Sequence, residues 1–222
     1  MCGRFVLTVN PDQIQTAFDL TNVPASMSPR YNIAPTQPIA LITNENPKEL
    51  TFYKWGLIPS WSKDPSAAAK MINARSESAA EKPAFRSAFK RRRCIIPTDG
   101  YYEWQERAGE KVPMFIHFKD REVFGFAGLW EVWNSPDGSE VRTCTILTTD
   151  ANRFMSTMHH RMPVILHKED YPLWLSPDEE PTPVLQALMV PYTGDELTAY
   201  PVSKLVNKPA NDSPELIQPA AT

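Results

Sequence analysis

Apolar and polar positions along the chain follow two periods, and the places where one gives way to the other mark out the elements. Residues 4–9 alternate like a strand, and Asn10-Pro11 then offers a helix cap followed by proline at the first helical position. Ile14, Ala17, Phe18 and Leu20 give that helix an apolar side. Residues 27–38 read as loop, and residues 38–43 and 50–55 as paired strands across a polar turn with Asn44, Asn46 and Pro47. Residues 56–70 are loop-like, with Trp61 between Pro59 and Pro65. Two helical pieces follow at 74–82 and 83–92, the second amphipathic through Phe85, Ala88 and Phe89.

After Cys94 the period shortens to two. Strands are predicted at 94–97, 112–118, 123–130 and 141–148, with Asp99-Gly100, Gly109 and Asp137-Gly138 as turns. Residues 151–159 read as a short helix, 163–166 as a strand, 171–175 and 184–189 as helices, and 197–202 as a late strand. Runs of strands with helices at their flanks predict an α+β fold built on a curved antiparallel or barrel-like sheet, not a wound parallel one. No composition break divides residues 1–222, so one domain is expected, with a polar tail from about residue 208.

Composition sharpens this picture in three ways. Twenty-two prolines against 8 glycines point to rigid turns more than flexible linkers. The chain has no apolar run of about 18 residues and its start lacks the regions of a signal peptide, so a cytoplasmic protein is expected. Three cysteines, at 2, 94 and 144, make neither a metal spacing nor an even disulfide framework, which fits reduced thiols. With 4 histidines and scattered cysteines, no catalytic metal and no cofactor are expected. The net charge of −3 argues against indiscriminate nucleic-acid binding, yet it averages an uneven distribution. Arg75, Arg86 and the run Lys90-Arg91-Arg92-Arg93 stand apart from Asp178, Glu179 and Glu180, and read either as a positive groove or as a solvated helix face. Serine-hydrolase, Walker, dinucleotide and HExxH templates are absent.

The candidate chemistry begins at Cys2. If Met1 is removed, one residue carries an α-amine titrating near ~8 beside a thiol titrating near ~8.5. That pair can capture an aldehyde as an imine, then close the thiol onto the imine carbon to give a five-membered thiazolidine. The alternative is a cysteine that merely follows the initiator. Glu103 sits in the aromatic run Tyr101-Tyr102-Glu103-Trp104, where desolvation would raise its pKa and suit proton shuttling, unless it lies on the outward face of a strand. Asn73 ends the apolar pair Met71-Ile72. His159 and His160 are adjacent near a predicted helix end, so one can face a site while the other faces solvent. Trp61 is either a stacking platform on a proline-stiffened loop or a core plug. Cys94 and Cys144 lie in apolar strands as small core residues.

Seven segments in order carry a resemblance to a known family. They are Met1-Cys2-Gly3-Arg4-Phe5, Arg30-Tyr31-Asn32-Ile33-Ala34-Pro35, Trp55-Gly56-Leu57-Ile58-Pro59, Ile72-Asn73-Ala74-Arg75-Ser76-Glu77, Arg93-Cys94-Ile95-Ile96-Pro97, Gly100-Tyr101-Tyr102-Glu103-Trp104 and His159-His160-Arg161-Met162-Pro163. Together they closely resemble the SRAP family, the SOS response-associated peptidases, from residue 2 to about 219.

The resemblance implies a DNA-damage protein that links itself covalently to abasic sites in single-stranded DNA, with associated lyase activity. It would be cytoplasmic, and nucleoid-associated when engaged. In that reading Cys2 forms the thiazolidine, Glu103 handles protons, His159 assists opening and cyclisation, and Asn73 orients the sugar and the cysteine. Arg4, Arg75 and Arg86 would hold phosphates, and Trp61 would stack at a junction with duplex. Some relatives carry a second tryptophan after the one at Trp61; here Ser62 follows, and weaker junction binding is expected. Two other classes stay open: a thiol peptidase acting on its own N-terminus, and a non-catalytic single-strand binding module.

Overall fold

The computed structural model describes residues 2–220. In chain order the strands are β1 (Phe5–Leu7), β2 (Arg30–Ile33), β3 (Pro38–Thr43), β4 (Thr51–Trp55), β5 (Asn73–Arg75), β6 (Arg93–Thr98), β7 (Gly100–Arg107), β8 (Glu110–Phe118), β9 (Phe124–Asn134), β10 (Glu140–Asp150), β11 (Arg161–Pro163), β12 (Ile165–Leu166) and β13 (Leu197–Pro201). The helices are α1 (Pro11–Phe18), α2 (Ser76–Ala79), α3 (Arg86–Arg91), α4 (Tyr171–Trp174) and α5 (Thr182–Ala187), interleaved with short 3-10 turns. The expected removal of Met1 concerns a residue outside those described.

The fold is α+β, as expected, and the sheet closes. β4, β3, β6, β9 and β10 pair in sequence, and β10 returns to pair with both β4 and β9, completing a five-stranded barrel. Closure removes the unpaired edges that an open sheet would present. Its β4–β10 seam is parallel, as is the pairing of β10 with β5. A second sheet, β13-β8-β7-β1-β2, is antiparallel and lays one face on the barrel. Phe5 and Tyr101 reach the barrel aromatics there, with Phe5 5.3 Å from Trp55 and Tyr101 5.6 Å from Phe126 between ring centroids. The other face carries Val6, Tyr102 and Phe115 into a smaller core with Val202, Val206 and Leu216. The polar tail is thereby packed: Asp212 accepts from Arg30 Nε at 2.6 Å and from the Tyr31 amide at 2.5 Å.

Local signals held where they were complete within a few residues. Asn10 and Gln13 form a reciprocal capping box at the start of α1. The 38–55 hairpin forms in the expected register region, and Cys94 and Cys144 are fully buried. Three expectations fail. Residues 30–33 are a strand, not loop, because β1 offers them a ladder and Asp212 holds their end. Residues 73–75 are a strand instead of the start of a helix, since β10 pairs Asn73 to Arg75 with Ile146 to Thr148 and overrides local propensity. Residues 151–159 yield only the 3-10 turn Met155–Thr157.

The basic run divides: Lys90 and Arg91 are exposed on the last turn of α3, as in the solvated-face reading, while Arg93 turns inward. Arg93 is fully buried. Its guanidinium donates to five backbone carbonyls: Trp174 (2.9 Å), Phe89 (3.3 Å), Lys90 (2.5 Å), Ser176 (2.6 Å) and Asp178 (3.1 Å). Arg92 pairs with Glu131 at 2.9 Å and Arg91 with Glu179 at 2.5 Å. Arg93 is therefore a structural hub at the end of α3, and Arg91 and Arg92 are already paired with carboxylates. Replacing Arg93 by methionine would strand several buried carbonyls at once. A loss of about 3 kcal/mol or more is expected, read as a lower midpoint in urea unfolding; an unchanged midpoint would contradict the hub.

Candidate active site

β7 positions the carboxylate. It starts at Gly100, where a Cβ would lie 2.4 Å from the Phe115 ring and 2.9 Å from the Ile116 carbonyl oxygen, so only glycine lets β7 and β8 approach this closely. Side chains then alternate, and Tyr101, Glu103 and Gln105 share the face that looks toward the barrel, while Tyr102 and Trp104 look outward. Glu103 is only 3% exposed, so the outward-strand alternative is excluded. Burial pushes its carboxyl above the usual range.

Cys2 lies just ahead of β1 and is fully buried. Burial drives its thiol pKa up, and the neighbouring Glu103 carboxylate raises it further. The Tyr101 hydroxyl is likewise raised, first by burial and then by Cys2 and Glu103. Thiol, carboxyl and phenol thus feel one another in one low-dielectric cluster, in which two negative charges are unfavourable together. At rest the sulfur is a thiol.

His159 comes from the turn after β10. Its backbone N–H donates to the Met155 carbonyl at 2.9 Å. That turn is fastened to β7: Tyr101 Oη donates to Met155 Sδ at 3.1 Å, and Gln105 Nε2 to the Thr157 carbonyl at 2.7 Å. The His159 ring is half-buried and stacks on the exposed His160 with centroids 4.3 Å apart. Its Nδ1 has both polar groups of Arg161 in reach, the N–H at 2.9 Å and the carbonyl at 3.1 Å. A neutral ring accepts from the first, which leaves its proton on Nε2; an imidazolium donates to the second. Both protonation states are accommodated without movement. Burial lowers the His159 pKa and favours the neutral ring.

Asn73 sits on β5 near the same aromatic wall. Its Nδ2 donates to the Ile72 carbonyl at 3.0 Å, the oxygen that also accepts from Trp55 Nε1 at 2.8 Å, and Trp55 in turn packs on Phe5 next to the chain start. Asn73 Oδ1 is buried with no hydrogen-bond partner. Such an acceptor costs about 1–3 kcal/mol and suits a ligand hydroxyl or amine.

The proposed phosphate ligands differ in availability. Arg75 and Arg86 are exposed, and among the described residues neither has an ion-pair partner. Arg4 is half-committed: Nη1 donates to Asn32 Oδ1 at 2.6 Å and to the Val206 carbonyl at 2.7 Å, with its guanidinium 5.9 Å from the Trp104 ring centre. That places it on the outward face of the second sheet. Trp61 is 65% exposed, so it is not a core plug. Arg161 was not anticipated as a functional residue. It is buried and donates to Glu77 at 2.7 and 2.9 Å, to Asp150 at 2.7 Å and to the Thr148 carbonyl at 2.6 Å, holding β11 on β10 beside His159.

Two surface clefts lie elsewhere. One of 480 Å³ is bordered by Asn10, Gln13 and Arg121, and one of 550 Å³ by Asn152, Phe154 and Tyr192. Neither contains Cys2, Glu103 or His159.

Comparison with known proteins gives a consistent result. A family model described as SOS response associated peptidase (SRAP) matches residues 1–209. The Bacillus subtilis abasic site processing protein YoqW is 46% identical over 222 residues, covering 98% of this chain and 99% of the relative. The Xenopus tropicalis abasic site processing protein HMCES is 30% identical over 260 residues, covering 97% of this chain and 77% of the relative. A crystal structure of a Bacteroides thetaiotaomicron protein superposes with a TM-score of 0.88 at 27% identity, covering 99% of this chain and 100% of that one.

Proposed function

The chain belongs to the SOS response associated peptidase family, and from that premise we propose that it processes abasic sites by bonding covalently to them in single-stranded DNA. The observation that carries the reading is the coupling of the second residue's thiol to Glu103 in one buried cluster, with His159 on the adjoining turn. Hydrolysis of Met1, by the chain itself or by another enzyme, gives Cys2 a free α-amine and shortens the chain in front of the buried thiol.

The chemistry then balances as follows. The ring-opened sugar presents an aldehyde at C1′; the Cys2 amine adds to it, and loss of one water gives an imine. The thiol sulfur adds to the imine carbon while its proton passes to nitrogen, closing the thiazolidine. Glu103, its pKa raised by burial, protonates the departing oxygen and relays the thiol proton in this reading. His159 in its neutral form offers Nε2–H to the sugar oxygens. The Asn73 Oδ1 acceptor holds the amine or a sugar hydroxyl. If the imine persists, loss of a proton from C2′ expels the 3′ phosphate by β-elimination, so lyase activity competes with ring closure. Arg75, Arg86 and Arg4 hold phosphates without reading bases, and Trp61 stacks at a junction with duplex.

Intact-mass measurement tests the reading. The purified chain is expected to lack Met1, and after incubation with an abasic oligonucleotide to gain the oligonucleotide's mass less one water. Retention of Met1, or no mass gain, would defeat the proposal. Reversible binding should weaken as salt rises while the adduct, once formed, does not dissociate.

A further inference from the structure

Tyr101, Glu103 and Gln105 occupy successive positions on one face of β7, and the two outer residues bind the same turn. Tyr101 donates to Met155 at one end of that turn and Gln105 donates to Thr157 at the other. The acid of the site lies between these two attachments, and the histidine follows the turn directly. Resting on the reading above, we propose that Tyr101 and Gln105 are positioning residues: by clamping the turn Met155–Thr157 to β7 on both sides of Glu103, they fix where His159 stands relative to that carboxyl.

Met155 is also anchored in the core, but among the described hydrogen bonds these two are the ones that tie the turn to β7. The turn is one 3-10 turn, too short to hold its own geometry. On its far side Asn152 accepts from the Met155 amide at 2.8 Å and donates to the Tyr192 carbonyl at 2.8 Å, which ties the turn to a loop and not to β7. A single attachment to β7 would leave the turn free to pivot; two attachments straddling Glu103 remove that freedom. Gln105 is itself oriented, since its Oε1 accepts from Arg107 Nε at 2.5 Å, which settles that Nε2 faces Thr157. The phenol of Tyr101 is fully buried on a thioether, so both ends of the clamp are directional. Proton transfer is sensitive to such placement, a shift of about 1 Å costing up to about 10²-fold in rate.

The test uses the full chain, single-turnover adduct formation on an abasic oligonucleotide, and a double-mutant cycle. Gln105→Glu keeps shape but cannot donate to the Thr157 carbonyl; Gln105→Lys restores a donor. Gln105→Glu is expected to slow closure about tenfold at saturating DNA with the half-saturating DNA concentration unchanged, and Gln105→Lys to recover most of the rate. In a His159→Ala background Gln105→Glu should change the rate less than twofold. Equal slowing in both backgrounds, or a wild-type rate for Gln105→Glu, would overturn the proposal. The unmodified chain is the separate control: if it forms no adduct, the functional reading itself has failed.

Discussion

Cys2→Ala is expected to lower the denaturation-resistant adduct by at least about 100-fold while leaving DNA binding in place. In the proposed chemistry the two nucleophiles of Cys2 do different jobs. Alanine at position 2 is as small as cysteine, so removal of Met1 is retained and an α-amine is still presented. The imine therefore still forms. What is lost is the sulfur that converts a hydrolysable C=N bond into a ring with both substituents tied to one carbon. The adduct should then be visible only when borohydride reduces the imine before denaturation, and strand cleavage should rise because the imine persists long enough to lose its C2′ proton. A wild-type yield of unreduced adduct from Cys2→Ala would remove the sulfur from the chemistry. The burial of the thiol makes the effect large: in a dry cluster beside Glu103 the sulfur does not ionise on its own, so it reacts only with an electrophile held next to a proton acceptor.

How much of this was legible in the sequence follows from how local each feature is. The capping box of α1 and the 38–55 hairpin are written within a few residues, and both could be read directly. Glu103, Asn73 and His159 stood out as polar groups in stretches that folding alone would fill with apolar ones, and Cys2 because it directly follows the initiator methionine. Features that depend on a distant partner were not legible. β2 is a strand only because β1 and Asp212 meet it, and β5 only because β10 lies alongside. The arginine run invites an electrostatic reading, yet its meaning is set by carbonyls from residues 174–178, more than 80 positions away. The clamp on the His159 turn joins Tyr101 to Met155 across 54 residues, and no pattern along the chain announces it.

Those long-range contacts also explain the division of labour in the site. Cys2 and Glu103 belong to the sheet that lies on the barrel, whereas Asn73 belongs to a strand on the barrel's own β10 edge and His159 to the turn beyond it. The groups that would handle protons and the groups that would hold the sugar therefore come from different layers, joined through the Phe5–Trp55 contact and the β7 clamp. Placement across a packed interface fixes distances more firmly than loops would.

Glu103→Gln separates catalysis from folding in a way few substitutions here can. Glutamine has the shape of the protonated acid and no charge, so the cluster keeps its packing. The folded-state pKa of Glu103 lies above that of an exposed carboxyl, so between about 4.3 and the raised value the folded chain binds a proton that the unfolded chain has released. Stability contributed by this group therefore falls as pH rises through that window and stays lower above it. Glutamine removes the fall, and the variant is expected to melt at or above the wild-type temperature at pH 7. Adduct formation, by contrast, is expected to slow by about 10²-fold or more, the usual scale of a lost general acid–base. The pH profile carries the assignment. The wild-type rate should be bell-shaped in pH, because it needs the Cys2 amine unprotonated and Glu103 protonated; in Glu103→Gln only the dependence on the amine should remain. A variant that melts lower and keeps the wild-type profile would make Glu103 a structural residue and return the proton transfers to His159.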